Sequence, residues 1–174
     1  MPLNRWTTKS GDDTLVNTHT RLVPGGLDRS QQLLGALHTD AGPWPSDRWW
    51  PLLLDHGMTV GSGGGHGPVR YHVAAAESNS VTFRLDDTMP FGGWHRFDLA
   101  RRAMGVEWRH QLHVEDTWLV RAVALPLHDA LLEDLLDSVD ALASGAQVRR
   151  PPFSPIVRLQ RTSAVALGSP PLPR

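Results

Sequence analysis

Four consecutive segments between residues 69 and 114 alternate apolar with polar side chains, and this alternation constrains the fold more than any other feature of the chain. A period of two residues is typical of β-strands with one buried face. Because the connections are short, neighbouring strands are expected to run antiparallel. The apolar sets are Val69, Tyr71 and Val73; Val81, Phe83 and Leu85; His95, Phe97 and Leu99; and Val106, Trp108, His110, Leu112 and Val114. The sequence therefore predicts an antiparallel meander whose apolar face needs a cover.

A long amphipathic segment follows the meander and can supply that cover. Between Trp118 and Leu142, leucine and valine recur at helical spacing, while five acidic residues occupy other positions. Pro126 either kinks this helix or lies in its first turn, and Gly145 marks its end. Residues 147–174 are rich in proline and arginine and have no sustained period. We therefore expect one domain over residues 10–146 and a tail over residues 147–174.

The segment before the meander predicts one strand and two short helices. Residues 14–23 alternate with a period of two and are rich in β-branched side chains, which indicates a strand. Asp28 can cap a helix that runs to Leu37, and Ser46 or Asp47 can cap a second one. The second helix would carry Trp49, Trp50, Leu53 and Leu54. The whole pattern is that of an α+β protein.

Composition excludes several classes of protein. The chain has 174 residues, a formal net charge of -1 and no cysteine, so it offers no positive field for nucleic acid and no disulfide or thiolate metal site. No stretch approaches the roughly 20 apolar residues of a membrane span, and the N-terminal residues do not form a signal peptide. We expect a cytoplasmic protein without a transmembrane segment. The oligomeric state stays open.

Residues 44–51 carry three of the seven tryptophans and resemble a known family. The order of five residues in this region is similar to that in many bacterial members of the helix-grip superfamily: Asp40, Trp44, Trp49, Trp50 and Pro51. This superfamily, also called SRPBCC, includes Bet v 1-like, START and polyketide cyclase/dehydrase-like proteins. The resemblance covers about residues 14–144. It implies a curved antiparallel sheet wrapped around a long C-terminal helix.

The resemblance also implies an internal cavity between the sheet and that helix. Family members use such a cavity for lipids, polyketides or aromatic compounds, so the expected partner is a hydrophobic small molecule. The alternation of the strands suggests which residues point inward. The candidate ligand-binding residues are Trp49, Trp50, Tyr71, Phe83, His95, Phe97, Trp108, His110, Leu112, Leu131 and Leu135.

Three polar residues in that set are candidates for catalysis. His95 and His110 lie on consecutive strands and share the apolar face with Tyr71, so together they could act as general acid and base in a cyclase- or dehydrase-like enzyme. Alternatively, each simply finds a hydrogen-bond partner in a mixed core. A third possibility is a protein-interaction or stress-related module that uses the acidic helix. Whether the protein is an enzyme stays open at this point.

No cofactor or metal site is expected from the motifs. The chain has nine histidines but no His-Glu-x-x-His, and His110 and His113 point to opposite faces of one strand. The remaining histidines are expected on the solvated face. The glycine-rich residues 61–67 lack the Gly-Lys-Ser/Thr of a phosphate loop, which favours a flexible loop near the mouth of the cavity.

Overall fold

The alternating segments form strands of a single antiparallel sheet in the computed structural model, which describes residues 3–166. The strands are β1 (Thr7–Ser10), β2 (Thr14–Val23), β3 (Leu53–Leu54), β4 (Gly63–His66), β5 (Val69–Glu77), β6 (Ser80–Leu85), β7 (Gly93–Arg102) and β8 (Gly105–Glu115). These eight strands lie in the order β1-β2-β8-β7-β6-β5-β4-β3. The helices are α1 (Leu27–Gly35), α2 (Leu125–Ser144) and α3 (Pro155–Ala166). This is the predicted α+β helix-grip architecture.

The strand register confirms which face of the meander is buried. Phe97 of β7 pairs with His110 of β8, and Phe83 of β6 pairs with Val73 on one side and His95 on the other. Tyr71, Phe83, Phe97 and Trp108 are all buried. The sheet buries this face against α2, so the apolar side chains of strands and helix form one core.

Helix α2 begins and ends where the sequence indicates. Pro126 lies near the start of α2, and the preceding residues Val120–Ala124 form a single π-helical turn that runs directly into the helix, so the proline stands where the helical hydrogen-bond pattern changes. Gly145 ends the helix in the left-handed conformation, with φ of 71°. None of the described helices is both long and apolar enough to cross a lipid bilayer.

The region between β2 and β4 differs from the prediction. Helix α1 begins at Leu27 with Gly26 at its cap, so Asp28 is in the first turn and is not the cap. The predicted second helix is wrong: residues 46–49 form turns, and Leu53 and Leu54 form β3. Proline explains this, because Pro51 disfavours helical backbone at the preceding residue. The strand β1 was not visible in the sequence pattern.

The glycine-rich segment is an ordered strand, not the flexible loop that its composition suggests. Gly63–His66 form β4, which pairs with β3 and β5. A Cβ atom at Gly65 would lie 1.9 Å from the Val69 carbonyl oxygen, and one at Gly67 would lie 2.5 Å from the Trp50 ring. The glycines therefore allow close approach of backbone and ring here, and a mobile gate is not supported.

Residues 147–166 contain a helix where the sequence pattern indicates only a tail. Phe153 packs against the core and Val157 of α3 is buried in it. Arg150 donates hydrogen bonds to Asp47 and to Ser138 of α2. The remainder of the expected tail, residues 167–174, lies outside the described residues. Proline and arginine content therefore masked a short helix in the sequence pattern, and this helix packs against α2.

The acidic residues of α2 do not form a merely solvated face. Four of the five make hydrogen bonds or ion pairs with β2 or with the segment around Trp49. Asp134, for example, accepts hydrogen bonds from the Trp49 indole at 2.7 Å and from Arg48 at 3.1 Å. These acids therefore hold the helix to the rest of the fold.

Candidate functional site

An apolar pocket of about 140 Å³ lies between the sheet and α2. It takes side chains from the segment around Trp49, from β4 to β8 and from α2, so every layer of the fold contributes to its wall. Seven of the predicted ligand-binding residues line it: Trp49, Trp50, His95, Phe97, His110, Leu112 and Leu131. The other four, Tyr71, Phe83, Trp108 and Leu135, are buried but do not line the pocket.

The tryptophan segment reaches the pocket because it is not helical. On a helix, adjacent residues point about 100° apart, so one of Trp49 and Trp50 was expected to pack inward and the other to border the entrance of the cavity. In the structure both line the pocket, together with Trp44. The Trp44 indole donates a hydrogen bond to the Trp50 carbonyl oxygen at 2.8 Å, which closes the segment into a compact turn.

Four histidines also line the pocket: His66, His95, His110 and His128. His95 Nδ1 and His110 Nε2 are 3.2 Å apart, so one ring donates a hydrogen bond to the other. The Tyr71 ring meets His95 edge-on, with ring centroids 4.9 Å apart. The three candidate catalytic residues are therefore close together, but Tyr71 contacts His95 without lining the pocket itself.

Burial keeps these side chains uncharged near neutral pH. It lowers the pKa of His66 to about 3 and the pKa of His95 and His110 well below the usual value, with further reduction from neighbouring cations and imidazoles. Burial likewise raises the pKa of Tyr71, so its hydroxyl stays protonated. The wall of the pocket is therefore neutral, and its polar atoms can only give or accept hydrogen bonds.

Some of these polar atoms have no partner within the described residues. His110 Nδ1 is buried without a hydrogen bond, and both ring nitrogens of His128 are buried without one. Nearly all buried polar atoms in proteins find a partner, because an unpaired one costs about 1–3 kcal/mol. Unpaired imidazole nitrogens beside a pocket are consistent with a polar group supplied from outside the chain.

Next to His128, a charged network joins β2 to α2. His19 of β2 is fully buried, and its Nδ1 lies 2.8 Å from Glu133 while its Nε2 lies 3.0 Å from Asp129. Burial disfavours the charged imidazole, but the hydrogen bonds to both carboxylates outweigh it and raise the pKa of His19. Asn17 donates to the same Asp129 oxygen at 2.8 Å, and Arg21 pairs with Glu133.

The same place contains the residues that could hold a metal ion. One ligand atom each from His19, His128 and Asp129 lies within 4.8 Å of the other two. Motif spacing could not reveal this group, because His19 is more than a hundred positions away from the other two in the sequence.

The sequence reasoning missed three histidines: the structure buries His19 and partly buries His66 and His128. His66 was assigned to a flexible loop, and His19 and His128 to the solvated face by default. Signals existed for two of them: His19 shares parity with Leu15 and Val23 on β2, and His128 precedes Leu131 by three helical positions. His66 gave no such signal, because its glycine neighbours have no side chains that could mark a buried face.

Comparisons with known proteins support the fold. No family model matches the chain, and no curated protein matches it. A conserved protein of unknown function from Enterococcus faecalis has a TM-score of 0.61 at 14% identity, over 92% of this chain and 91% of that one. Major latex-like protein 151 from Panax ginseng has a TM-score of 0.59 at 13% identity, over 76% and 99%. The di-domain ARO/CYC StfQ from the steffimycin biosynthetic pathway has a TM-score of 0.55 at 12% identity, over 76% and 51%. The expected helix-grip fold is therefore confirmed.

Proposed function

We propose that the protein binds a small aromatic molecule in the pocket between the sheet and α2. The observation that carries this proposal is a largely apolar pocket with neutral imidazoles in its wall, two of which have unpaired nitrogens. Binding pockets are typically apolar with a few polar groups that fix orientation. Structural neighbours such as StfQ, an ARO/CYC of a biosynthetic pathway, have the same fold and support a pocket-based function.

The size of the pocket supports a ligand with one ring. A space of about 140 Å³ is close to an engineered apolar cavity of about 150 Å³ that accepts benzene. Lipid chains and multi-ring polyketides generally occupy pockets of roughly 300–1,000 Å³. Of the ligand classes that the fold implies, a single aromatic ring therefore fits best without expansion of the pocket.

The histidines favour a ligand that carries a hydroxyl or carbonyl group. A neutral imidazole can accept a hydrogen bond from a hydroxyl and donate one to an oxygen. His110 Nδ1 and the nitrogens of His128 are available for this. Phenols combine a ring for the tryptophans with a hydroxyl for an imidazole, so they are the simplest ligands of this kind.

Native mass spectrometry and tryptophan fluorescence test the proposal directly. We expect phenol and related single-ring compounds to bind in a 1:1 ratio and to change the emission of the tryptophans that line the pocket. Octanoate, which represents lipids, should bind much more weakly. Replacement of Ala124, which lines the pocket, with leucine should abolish binding by filling the space.

The matched control is Ala76→Leu on the exposed part of β5, which should leave phenol binding unchanged. If no compound binds, or if Ala124→Leu binds phenol as well as the unmodified protein does, the proposed function is wrong.

A second candidate is an enzyme that uses His95 and His110 as acid and base. The observation in its favour is the 3.2 Å contact between the two imidazoles in the pocket wall. Their strongly lowered pKa values count against it, because an effective general base has a pKa near the working pH. Turnover of an enolisable aromatic ketone that persists in the His95→Phe, His110→Phe double variant would exclude these residues.

The third possibility, a protein-interaction module, requires that the acidic residues of α2 are available to a partner protein. Most of these residues already have hydrogen-bond or ion-pair partners within the fold. Nothing else among residues 3–166 favours it over ligand binding.

A further inference from the structure

We propose that His19, His128 and Asp129 form a binding site for one divalent transition-metal ion at the inner wall of the pocket. Two imidazoles and one carboxylate are a ligand set that zinc and neighbouring first-row metals accept. The three residues come from β2 and from two consecutive positions of α2, so two firmly packed elements place them. None of this set was expected from the sequence.

The spacing of the ligand atoms suits a metal ion with small adjustments. Tetrahedral coordination with metal–nitrogen bonds of about 2.0–2.1 Å places ligand atoms about 3.3 Å apart. Asp129 Oδ1 lies 3.0 Å from His19 Nε2 and 4.0 Å from His128 Nδ1. All three ligand atoms fall within 4.8 Å of one another. A modest rotation of the His128 ring would therefore bring the set to coordination distance.

The groups around these ligands are those that usually orient metal-binding side chains. A metal-bound histidine commonly uses its second ring nitrogen to contact a carboxylate, which fixes the ring. His19 Nδ1 contacts Glu133 at 2.8 Å, and Arg21 holds Glu133 in place from 3.2 Å. Asp129 accepts hydrogen bonds from Asn17 and Asn4, which fix the carboxylate.

His128 supplies an independent reason for a ligand at this position. A protonated His19 bridging the two carboxylates would explain His19, Asp129 and Glu133 without any metal, but it leaves both nitrogens of His128 without a hydrogen bond, with Asp129 Oδ1 4.0 Å from Nδ1. Coordination by His128 would satisfy one of them. Coordination by His19 Nε2 would require that nitrogen to be deprotonated, in place of its 3.0 Å hydrogen bond with Asp129.

The site would reach the pocket through His128, while His19 and Asp129 lie buried behind the pocket wall. Three protein ligands leave at least one coordination position for an exogenous molecule, which is the arrangement of catalytic and ligand-exchanging sites. His128 belongs both to this group and to the pocket wall. The metal site does not depend on the proposed aromatic ligand, because it can be measured with the metal alone.

Titration of the full chain with Co²⁺ after treatment with a chelator tests the site. We expect saturable visible absorption at one equivalent, and loss of that absorption on addition of Zn²⁺. His128→Ala should weaken Co²⁺ binding at least tenfold. Because the nearest recorded polar contact of His128, to Asp129 Oδ1, is 4.0 Å long, this variant should still fold, whereas substitution of His19 or Asp129 would also break the short hydrogen bonds between β2 and α2.

His72→Ala is the matched control, since His72 lies on the other face of the sheet and is paired with Asp86. It should bind Co²⁺ like the unmodified protein. A second readout is thermal unfolding, where Zn²⁺ should raise Tm for the unmodified protein and for His72→Ala but not for His128→Ala. Absence of stoichiometric binding, or equal binding by His128→Ala, would overturn the site. Phenol binding is measured with chelator present and therefore does not depend on the outcome of the metal titration. The metal site and the aromatic-ligand site can thus be disproved independently of each other.

Discussion

At the scale of single residues, the main feature of this protein is a group of histidines inside an apolar core. The parity of the strands was sufficient to place His95 and His110 on the inner face, because both alternate with large apolar side chains. It was not sufficient for His66, whose neighbours are glycines, nor for the contact between His19 and Asp129, which joins residues 110 positions apart. Local patterns determine which side of an element a residue occupies, but not what it meets there.

Burial of a neutral histidine predicts acid sensitivity. The pKa of His66 is about 3 in the folded chain, lowered by burial, by His128 and by Arg70, and about 6.5 when the chain is unfolded. The unfolded chain therefore binds more protons between these values. The free energy of unfolding should be unaffected by His66 above pH 6.5 and should fall below it, by up to about 1.4 kcal/mol per pH unit.

Urea unfolding of His66→Gln between pH 7 and pH 4 checks this. As the pH falls, the free energy of unfolding of the variant should decrease less steeply than that of the unmodified protein. The difference in slope should correspond to about one bound proton. His72→Gln, at a half-exposed position, should show the original slope. Identical slopes for His66→Gln and the unmodified protein would mean that His66 is not buried in neutral form.

At the scale of elements, the spacing of apolar residues predicted helices and strands correctly where the structural preferences of neighbouring residues indicate the same element. Helix α2 follows from its leucine spacing and from Gly145. The predicted second helix failed because Pro51 and the hydrogen bond from Trp44 to the Trp50 carbonyl favour a turn. Helix α3 was missed because proline and arginine dominate its surroundings, while its packing rests on a few apolar side chains such as Val157.

Packing of α3 on the core can be measured with a pair of substitutions. Val157 is 6% exposed and Leu159, two residues away on the same helix, is 68% exposed. Val157→Ala should lower the free energy of unfolding by about 1–2 kcal/mol, because two buried methyl groups are lost. Leu159→Ala should change it by less than about 0.5 kcal/mol.

Thermal or chemical denaturation of the two variants gives the result. Equal effects of the two substitutions would show that α3 does not pack through Val157.

At the scale of the whole molecule, the sheet and α2 leave a pocket between them, and the proposed function rests on what that pocket can hold. The order of elements and the tryptophan segment were enough to predict the helix-grip architecture and seven of the 17 residues that line the pocket. They could not give the volume of the pocket, because that depends on how α2, the sheet and the tryptophan turn pack together. The resulting pocket of about 140 Å³ is what separates a one-ring ligand from the larger molecules that the fold also implies.

The most direct test of this account is an NMR measurement of contacts between bound phenol and the methyl groups of the protein. Leu112, Leu131 and Leu132 line the pocket, whereas Leu22 and Leu53 are exposed elsewhere. We predict nuclear Overhauser effects from the phenol ring to the first three residues and none to the other two. Contacts confined to exposed leucines, or no contacts at saturating phenol, would contradict the account.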